Sequence, residues 1–252
     1  MKIKFLVGIV LSVIALSSCI KNPDTHPFIL LTKSIHVGTA TIKYEYDSER
    51  RLTIKTYMPV KGSHHEVHNL EFTPQGDPKV KKYVYPTSPE NNRLVYISYD
   101  SQRRSTDFWS YNGVHTLLEH KTFVYHPTYI EQLTYNGLGS LTNTTFYYIN
   151  PQGNITRTQS FGPTGILQQQ RTLGPFDDQK SHKSLLTSSE GSDLISVNNF
   201  LAYSHYDSRT SITQNFTCAY EYNTYGFVTR KTLTNTGSGE NFVEEYEYTD
   251  LP

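Results

Sequence analysis

The sequence predicts an all-β protein, an antiparallel meander of repeated hairpins that forms one large curved sheet or a soluble barrel. Three observations predict this class. The chain has 20 Tyr and 12 Phe against 2 Met, a composition that favours strands over helices. Turn residues recur about every 13 positions and hairpins about every 26, which leaves room for up to about sixteen strands. No stretch has a convincing helical period.

The first element is a secretory signal over residues 1–18. "MKIKFLVGIVLSVIALSSC" has a short basic start, an apolar run and small residues before the Cys, and it is too short for a stop-transfer helix. Its ending "LSSC" resembles the bacterial lipobox, in which the Cys receives the lipid. We therefore expect lipidation of Cys19, a lipidated tether over 19–29, and attachment to the outer membrane or cell surface through this lipid.

A single β-repeat domain is expected over residues 30–252. Each repeat has a polar residue, here called the anchor, directly after an aromatic strand end. The anchors are Asp47, Thr73, Asp100, Asn112, His126, Asn136, Asn150, Asp207 and Asn223. Aromatic or aliphatic residues usually stand one and three positions before an anchor, and so share one strand face. Gly often stands three positions after it, which predicts a type I turn closed by a left-handed residue.

Arg50 and Arg103 stand where other copies of the turn have Gly. A left-handed conformation costs an ordinary residue about 1 kcal/mol. These two copies are therefore predicted places for a contact with a ligand or partner.

The sequence predicts the way in which the sheet closes less strongly than it predicts the strands and turns. The repeat signal fades over 167–206, where a longer connection or a single short helix is expected. A four-bladed propeller is the minor alternative to a barrel or curved sheet. A membrane-spanning barrel is not expected, because "KVKKYVY" and "LQQQRT" place polar residues on both strand faces.

Two stretches resemble the YD (RHS-type) repeat, whose pattern is Tyr-Asp, then Gly, then Arg-Leu. They are Tyr46-Asp47 with Arg51-Leu52, and Tyr222-Asn223 with Gly226. The chain often replaces the Gly and has no recognisable effector domain. From the lipobox through "FDDQKSHKSLL", "SVNNF" and "CAYEYNTYGFVTRKT" to "YEYT", it is similar to a group of lipoproteins from Gram-negative gut bacteria with a porin-like fold. No activity is assigned to that group, so the resemblance implies a porin-like barrel and no functional residue.

The charge balance bears on nucleic-acid binding, and the cysteine content bears on disulfide formation. Lys plus Arg and Asp plus Glu both number 23, so no net field attracts nucleic acid, and no nucleic-acid partner is expected. With Cys19 lipidated, Cys218 has no disulfide partner and is predicted to be buried.

The best metal candidate is "SHHEVH". On a strand, His64, Glu66 and His68 would share one face and could bind one ion. A polar strand with solvated imidazoles is the alternative, and no cofactor is expected.

An enzyme is not supported by any motif. The chain has no nucleophile elbow, phosphate loop or dinucleotide fingerprint. The adjacent carboxylates Asp177 and Asp178, and Glu244 and Glu245, are expected to be solvated turn or edge charges. An extracellular polymer hydrolase and a structural accessory of an envelope complex remain alternatives.

Exposed aromatic residues can bind sugars or proteins. Trp109 and Tyr111 in "DFWSYN" form the densest aromatic cluster. The favoured interpretation is that the rings pack against one another across strands, because they stand at repeat positions. We expect a cell-envelope lipoprotein with a non-catalytic β-repeat domain for binding, and a glycan or an envelope protein as its partner.

Overall fold

A computed structural model describes residues 29–180 and 196–250. The predicted signal peptide, Cys19 and the tether up to residue 28 lie outside the described residues. The first nine strands are β1 (Ile29–His36), β2 (Ala40–Tyr46), β3 (Leu52–Pro59), β4 (His65–Phe72), β5 (Pro78–Val84), β6 (Arg93–Tyr99), β7 (Ser105–Asn112), β8 (Leu117–Tyr125) and β9 (Tyr129–Asn136). The others are β10 (Leu141–Ile149), β11 (Ile155–Phe161), β12 (Leu167–Leu173), β13 (Phe176–Lys180), β14 (Asn198–Phe200), β15 (Ala202–Asp207), β16 (Ile212–Tyr222), β17 (Val228–Asn235) and β18 (Asn241–Asp250). A 3-10 helix spans Pro89–Asn91. None of the described residues forms a helix long and apolar enough to cross a membrane.

All of these strands except β13 and β14 close into one antiparallel barrel. Neighbours along the chain pair with each other, and β1 closes the ring on β18, with Ser34 opposite Tyr246. The meander is interrupted once, where β12 pairs with β15, and β13 and β14 form a separate two-stranded sheet. The predicted all-β antiparallel barrel is confirmed, and the propeller alternative is wrong. The region of weak repeat signal contains β12 to β15, with residues 181–195 outside the described part.

The predicted anchors begin the hairpin turns. The Asp47 N–H donates to the Arg51 carbonyl at 3.0 Å, and the Arg50 N–H donates to the Asp47 carbonyl at 2.9 Å. The same two bonds recur at Thr73, Asp100, Asn112, Asn136, Asn150 and Asn223. The residue three positions after the anchor is left-handed, with φ 85° at Gly153 and 64° at Arg50. The turn chemistry read from the sequence is therefore the chemistry that forms these hairpins.

Two anchors depart from this geometry. The His126 N–H donates to the Tyr129 carbonyl at 2.9 Å, which makes a tighter turn. After Asp207 the left-handed residue comes one position later, at Ser211 with φ 55°. The position that it skips holds Thr210, whose branched Cβ disfavours that conformation.

The turns after β2, β4, β6, β8, β10 and β16 lie at one end of the barrel, called here the anchor end. The turns at the other three anchors, Asn112, Asn136 and Asp207, lie at the opposite end. Because the strands alternate in direction, β1 begins and β18 ends at the anchor end. The β13–β14 sheet lies there too, since it joins the end of β12 to the start of β15.

Two apolar clusters line the inside of the barrel on opposite walls. The first comprises Leu31, Ile42, Tyr44, Leu52, Val228 and Tyr246. The second comprises Val95, Ile97, Phe108, Phe123 and Ile130. Cys218 is buried, as expected. In β6, β7 and β9, where buried residues alternate with less buried ones, the neighbours of a buried residue face outward.

Candidate functional site

The outward side of β6 to β9 carries a row of aromatic rings. Strand pairing places Tyr96 opposite Trp109, Trp109 opposite His120, and His120 opposite Tyr135. Phe108, the neighbour of Trp109, faces the other way and is buried. Neighbouring strands lie about 4.8 Å apart, so the row spans about 14 Å. We call these four residues the aromatic row.

Trp109 and His120 form the centre of the row. Their ring centroids are 3.4 Å apart and their planes differ by 10°. His120 Nε2 lies 3.1 Å from Asp107 Oδ1, and its other face meets Tyr135 at 5.8 Å between centroids. These contacts hold the imidazole in place behind the indole.

Tyr96 is oriented differently. Its ring meets the ring of Tyr111 edge-on, at 5.7 Å and 82°, and it is 41% exposed. Tyr111 lies two positions after Trp109 on the same outward side. The two residues predicted from "DFWSYN" thus belong to one outward cluster, as the binding interpretation requires.

A second aromatic group continues this side of the barrel across β9 to β11. Phe146 lies 5.9 Å from Tyr129 and 5.8 Å from Phe161, centroid to centroid. The Arg157 guanidinium lies 4.0 Å above the Tyr148 ring, whose hydroxyl donates to Gln159 Oε1 at 3.0 Å. The hydroxyl of Tyr148 thus has a partner within the chain.

The opposite half of the outer surface carries charge. Strand pairing places Lys33 opposite Glu247, and their side chains are 2.9 Å apart. Arg230 stands opposite Glu245 and lies 3.9 Å from Glu221. The rings therefore lie on β6 to β11, called here the aromatic half, and these ion pairs lie on β1 and β16 to β18, called here the charged half.

Inward-facing tyrosines near the anchor end have a structural role. Each donates its hydroxyl to a backbone carbonyl 15 to 21 residues earlier in the chain, near the start of a neighbouring strand. The pairs are Tyr46 with Leu31, Tyr99 with Pro78, Tyr125 with Ser105, Tyr220 with Phe200, and Tyr248 with Val228. For these rings, packing inside the barrel is the correct interpretation.

Arginines of the repeat also support the turns. Arg51 Nε donates to Asp47 Oδ2 at 2.7 Å, and its guanidinium lies 4.4 Å above the Phe72 ring. Arg104 repeats this pair of contacts with Asp100 and Tyr125. The Tyr-Asp-Arg pattern is therefore a structural unit.

Glu244 faces inward, which corrects the expectation of a solvated edge charge. Its carboxylate lies 3.3 Å from Lys231 Nζ and 3.5 Å from His36 Nδ1, and it accepts the Tyr246 hydroxyl. Burial by itself would raise the pKa of Glu244. The hydrogen bond from His36, the charge of Lys231 and the hydrogen bond from Tyr246 outweigh burial and hold this pKa well below its usual range.

Asp177, in β13, is also not a solvated turn charge. Its carboxylate accepts the Tyr222 hydroxyl and lies 3.2 Å from Asn199 Nδ2. Burial, followed by the bond to Asp177, raises the pKa of Tyr222. Together with the bond from Asn154 Nδ2 to Asn198 Oδ1 at 3.1 Å, this network ties the β13–β14 sheet to the anchor end.

The two arginines at glycine positions have the predicted backbone, with φ 64° at Arg50 and 63° at Arg103. Arg103 bonds Asp77 in the neighbouring turn through Nε and Nη2, at 2.8 Å each. Arg50 is exposed in the turn between β2 and β3. The structure gives Arg103 a role within the fold and places neither arginine beside the aromatic row.

The predicted metal ligands are only partly brought together. His68 Nε2 lies 2.7 Å from Glu66 Oε2, whereas His64 is exposed in the turn before β4. Within the described ranges, no group of three or more His, Cys, Asp or Glu side chains could hold a metal ion.

Sequence reasoning missed Tyr96, His120 and Tyr135. The hairpin that turns between Asn112 and Thr116 contained the signal for His120. Trp109 lies three residues before this turn and His120 four residues after it, which makes them cross-strand partners.

No family model matches the chain, and no curated protein matches it. Similar solved structures include a porin-like protein from Bacteroides vulgatus, with a TM-score of 0.47 and 10% identity over 88% of this chain and 99% of that one. Another is a porin-like protein from Bacteroides uniformis, with a TM-score of 0.42 and 12% identity over 88% of this chain and 95% of that one.

Proposed function

We propose that this chain is a lipid-anchored cell-envelope protein whose barrel binds an extracellular ligand through the aromatic row, without catalysis. The observation that carries the proposal is the contrast between the aromatic and the charged halves of the outer surface. Partly exposed Trp and Tyr rings offer a large apolar contact together with a polar tip, which suits them to binding.

The charged half supports a barrel that lies outside the bilayer. A barrel that spans a membrane needs an apolar belt on its outward side around the whole circumference. Lys33, Glu247 and Arg230 would interrupt such a belt on β1, β18 and β17. Attachment then depends on the N-terminal lipid at Cys19.

The position of β1 supports a free aromatic row. The chain from Cys19 to Ile29 reaches at most about 35 Å when fully extended. It joins the barrel at the anchor end, and β1 lies half the ring away from β9. The anchor end would therefore face the membrane and the aromatic row would face sideways.

The arrangement of carboxylates supports binding without catalysis. A glycan hydrolase of the usual kind needs two carboxyl groups that face each other across a cleft. Glu244 and Asp177 are instead engaged by neighbouring side chains of the barrel wall. The sixteen-strand ring itself is closed, so strand addition could take place only at the β13–β14 sheet among the described strands.

Lipid attachment is tested by expressing the full chain in a Gram-negative host with a labelled fatty acid. Label on the wild type and on Cys218→Ser, together with its loss from Cys19→Ser, is the expected result. An unlabelled wild type, or label that survives in Cys19→Ser, would overturn the lipoprotein assignment.

Binding is tested with the fluorescence of Trp109, the single tryptophan of the chain. The lipidated protein in detergent micelles is titrated with polysaccharide and protein fractions of a bacterial envelope. A changed emission with at least one fraction supports binding at the row, and unchanged emission with all of them contradicts it. Release of smaller products from a fraction would instead indicate a hydrolase.

A further inference from the structure

One face of the Trp109 indole has no ring stacked on it among the described residues, and it is called here the open face. The centroid distance of 3.4 Å to His120 is shorter than the spacing of about 4.8 Å between strands, so the indole leans towards β8. Tyr96, its partner on β6, is turned edge-on to Tyr111. Across residues 29–180 and 196–250, no other ring stacks on the indole face that points towards β6. The interval between the Trp109 indole and Tyr96, which no ring fills among these residues, is called here the gap.

Polar groups border this gap. Within the described part of the chain, the hydroxyls of Tyr96 and Tyr111 and the indole N–H of Trp109 make no hydrogen bond. By contrast, the hydroxyls of Tyr46 and Tyr99, inside the barrel, both have backbone partners. The outward polar groups are thus available to a ligand, and each can gain a hydrogen bond on binding.

The carboxylate beside the gap already has a partner. Asp107 and His120 flank Trp109 and bond to each other at 3.1 Å. A cationic ligand would compete with His120 for this carboxylate, and the carboxylate would repel an anionic ligand. A neutral ligand with an apolar face and a polar edge matches the gap better.

We propose that a neutral pyranose ring of a saccharide binds against the open face of Trp109, with its hydroxyls bonded to Tyr96 and Tyr111. This inference rests on the proposed function, because it names the ligand class of the same row. The axial C–H groups of a pyranose form an apolar face that fits an aromatic ring, and its rim of hydroxyls fits the phenol groups. A stable protein partner would need a surface of roughly 800 Å² per side, whereas the aromatic row is only about 14 Å long.

The test uses the lipidated full chain in detergent micelles and a panel of neutral trisaccharides built from glucose, mannose, galactose and xylose. We expect at least one to change the Trp109 emission and to bind in calorimetry. Tyr96→Phe and Tyr111→Phe keep the rings and remove one hydroxyl each, so each should weaken binding about three- to tenfold. Trp109→Ala should weaken it at least about tenfold, measured by calorimetry.

Tyr225→Phe is the matched control, because Tyr225 is 48% exposed in the turn between β16 and β17, away from the row. It should bind as the wild type does. Envelope fractions that change the emission while no trisaccharide does would overturn the saccharide assignment and leave the binding function standing. Saccharide binding that is unaffected in Tyr96→Phe, Tyr111→Phe and Trp109→Ala would place the site elsewhere and overturn this inference.

Discussion

Arg103 donates two hydrogen bonds to the carboxylate of Asp77, each 2.8 Å long, across two neighbouring turns of the anchor end. A third bond joins its Nη2 to the Gln75 carbonyl at 3.2 Å. The Asp77 side chain is 8% exposed, so Arg103 supplies hydrogen bonds to a carboxylate that solvent hardly reaches. The left-handed backbone of Arg103 is thus offset by a link between the hairpins, which explains an arginine where other turns have glycine.

Replacing Arg103 by Gly should therefore destabilise the barrel, although it removes the backbone strain. The lost bonds to a buried carboxylate outweigh the relief, for a net loss of about 1–2 kcal/mol in the free energy of unfolding. His115→Gly is the control, since His115 is exposed and has φ 60°. It should be neutral or stabilised by up to about 1 kcal/mol in the same chemical denaturation. Equal effects of the two substitutions would contradict a structural role for Arg103.

Substitutions at Gly153 and Gly139 test the contact between the turn after β10 and Val197, the residue just before β14. Both are left-handed, with φ 85° and 80°. A Cβ at Gly139 would meet nothing within 4 Å, whereas a Cβ at Gly153 would lie 3.0 Å from Val197 Cγ2. Gly139→Ala should cost about 1 kcal/mol and Gly153→Ala roughly 2 kcal/mol, measured by thermal unfolding. Adding Val197→Ala to the Gly153→Ala variant should remove the extra cost of about 1 kcal/mol. A double variant as unstable as Gly153→Ala would argue against this contact.

The hydroxyl of Tyr99 should contribute measurably to stability. It donates to the Pro78 carbonyl at 2.7 Å, and Pro78 is fully buried. Tyr99→Phe leaves that carbonyl without its partner and should cost about 1 kcal/mol in urea denaturation. Tyr96→Phe removes an outward hydroxyl and should cost close to nothing. A loss in Tyr96→Phe as large as in Tyr99→Phe would contradict the inside-versus-outside distinction.

Glu244 should make the barrel sensitive to acid. Because the folded state lowers its pKa, the stabilisation is present at neutral pH and declines as pH falls below the ordinary glutamate pKa of about 4.3. Glu244→Gln leaves Lys231 without its partner and should cost roughly 2–3 kcal/mol at pH 7. The difference between variant and wild type should shrink as the pH is lowered, followed by thermal unfolding at several pH values.

Glu247→Gln is the control for that titration. Glu247 pairs with Lys33 at the surface, where its side chain is 54% exposed. An exposed pair contributes at most about 1 kcal/mol, so this variant should change stability little. A pH-independent difference between Glu244→Gln and the wild type would show that Glu244 does not act through its charge.

The turns could be predicted from the sequence because their bonds are local. At Asn150 the side-chain oxygen accepts the N–H groups of Gln152 and Asn154, at 3.1 and 2.9 Å. Every partner lies within four residues, so residue type and spacing determine the turn. The same reasoning predicted the left-handed backbone of Arg50 and Arg103. It could not show that Arg103 reaches Asp77, which lies in a different hairpin.

Only part of the aromatic row could be predicted from the sequence, because its members come from several strands. Trp109 and Tyr111 stand out as a cluster in the sequence, but the row also needs Tyr96 and Tyr135, which other strands supply. Glu244 and Asp177 were misjudged because a lone strand does not show what faces it across the barrel. Their partners, among them His36 and Tyr222, lie far away in the chain.

By itself, the sequence determined the strand class, the anchors, the type of turn and the burial of Cys218, since local dihedral preferences and alternating side chains control these features. Only the tertiary structure decided that β1 pairs with β18, that the sheet closes as a barrel, and that one outer half is aromatic and the other charged. Closure joins residues as far apart as Ser34 and Tyr246. Such a pairing depends on the summed twist and register of all the intervening strands, which no local pattern encodes.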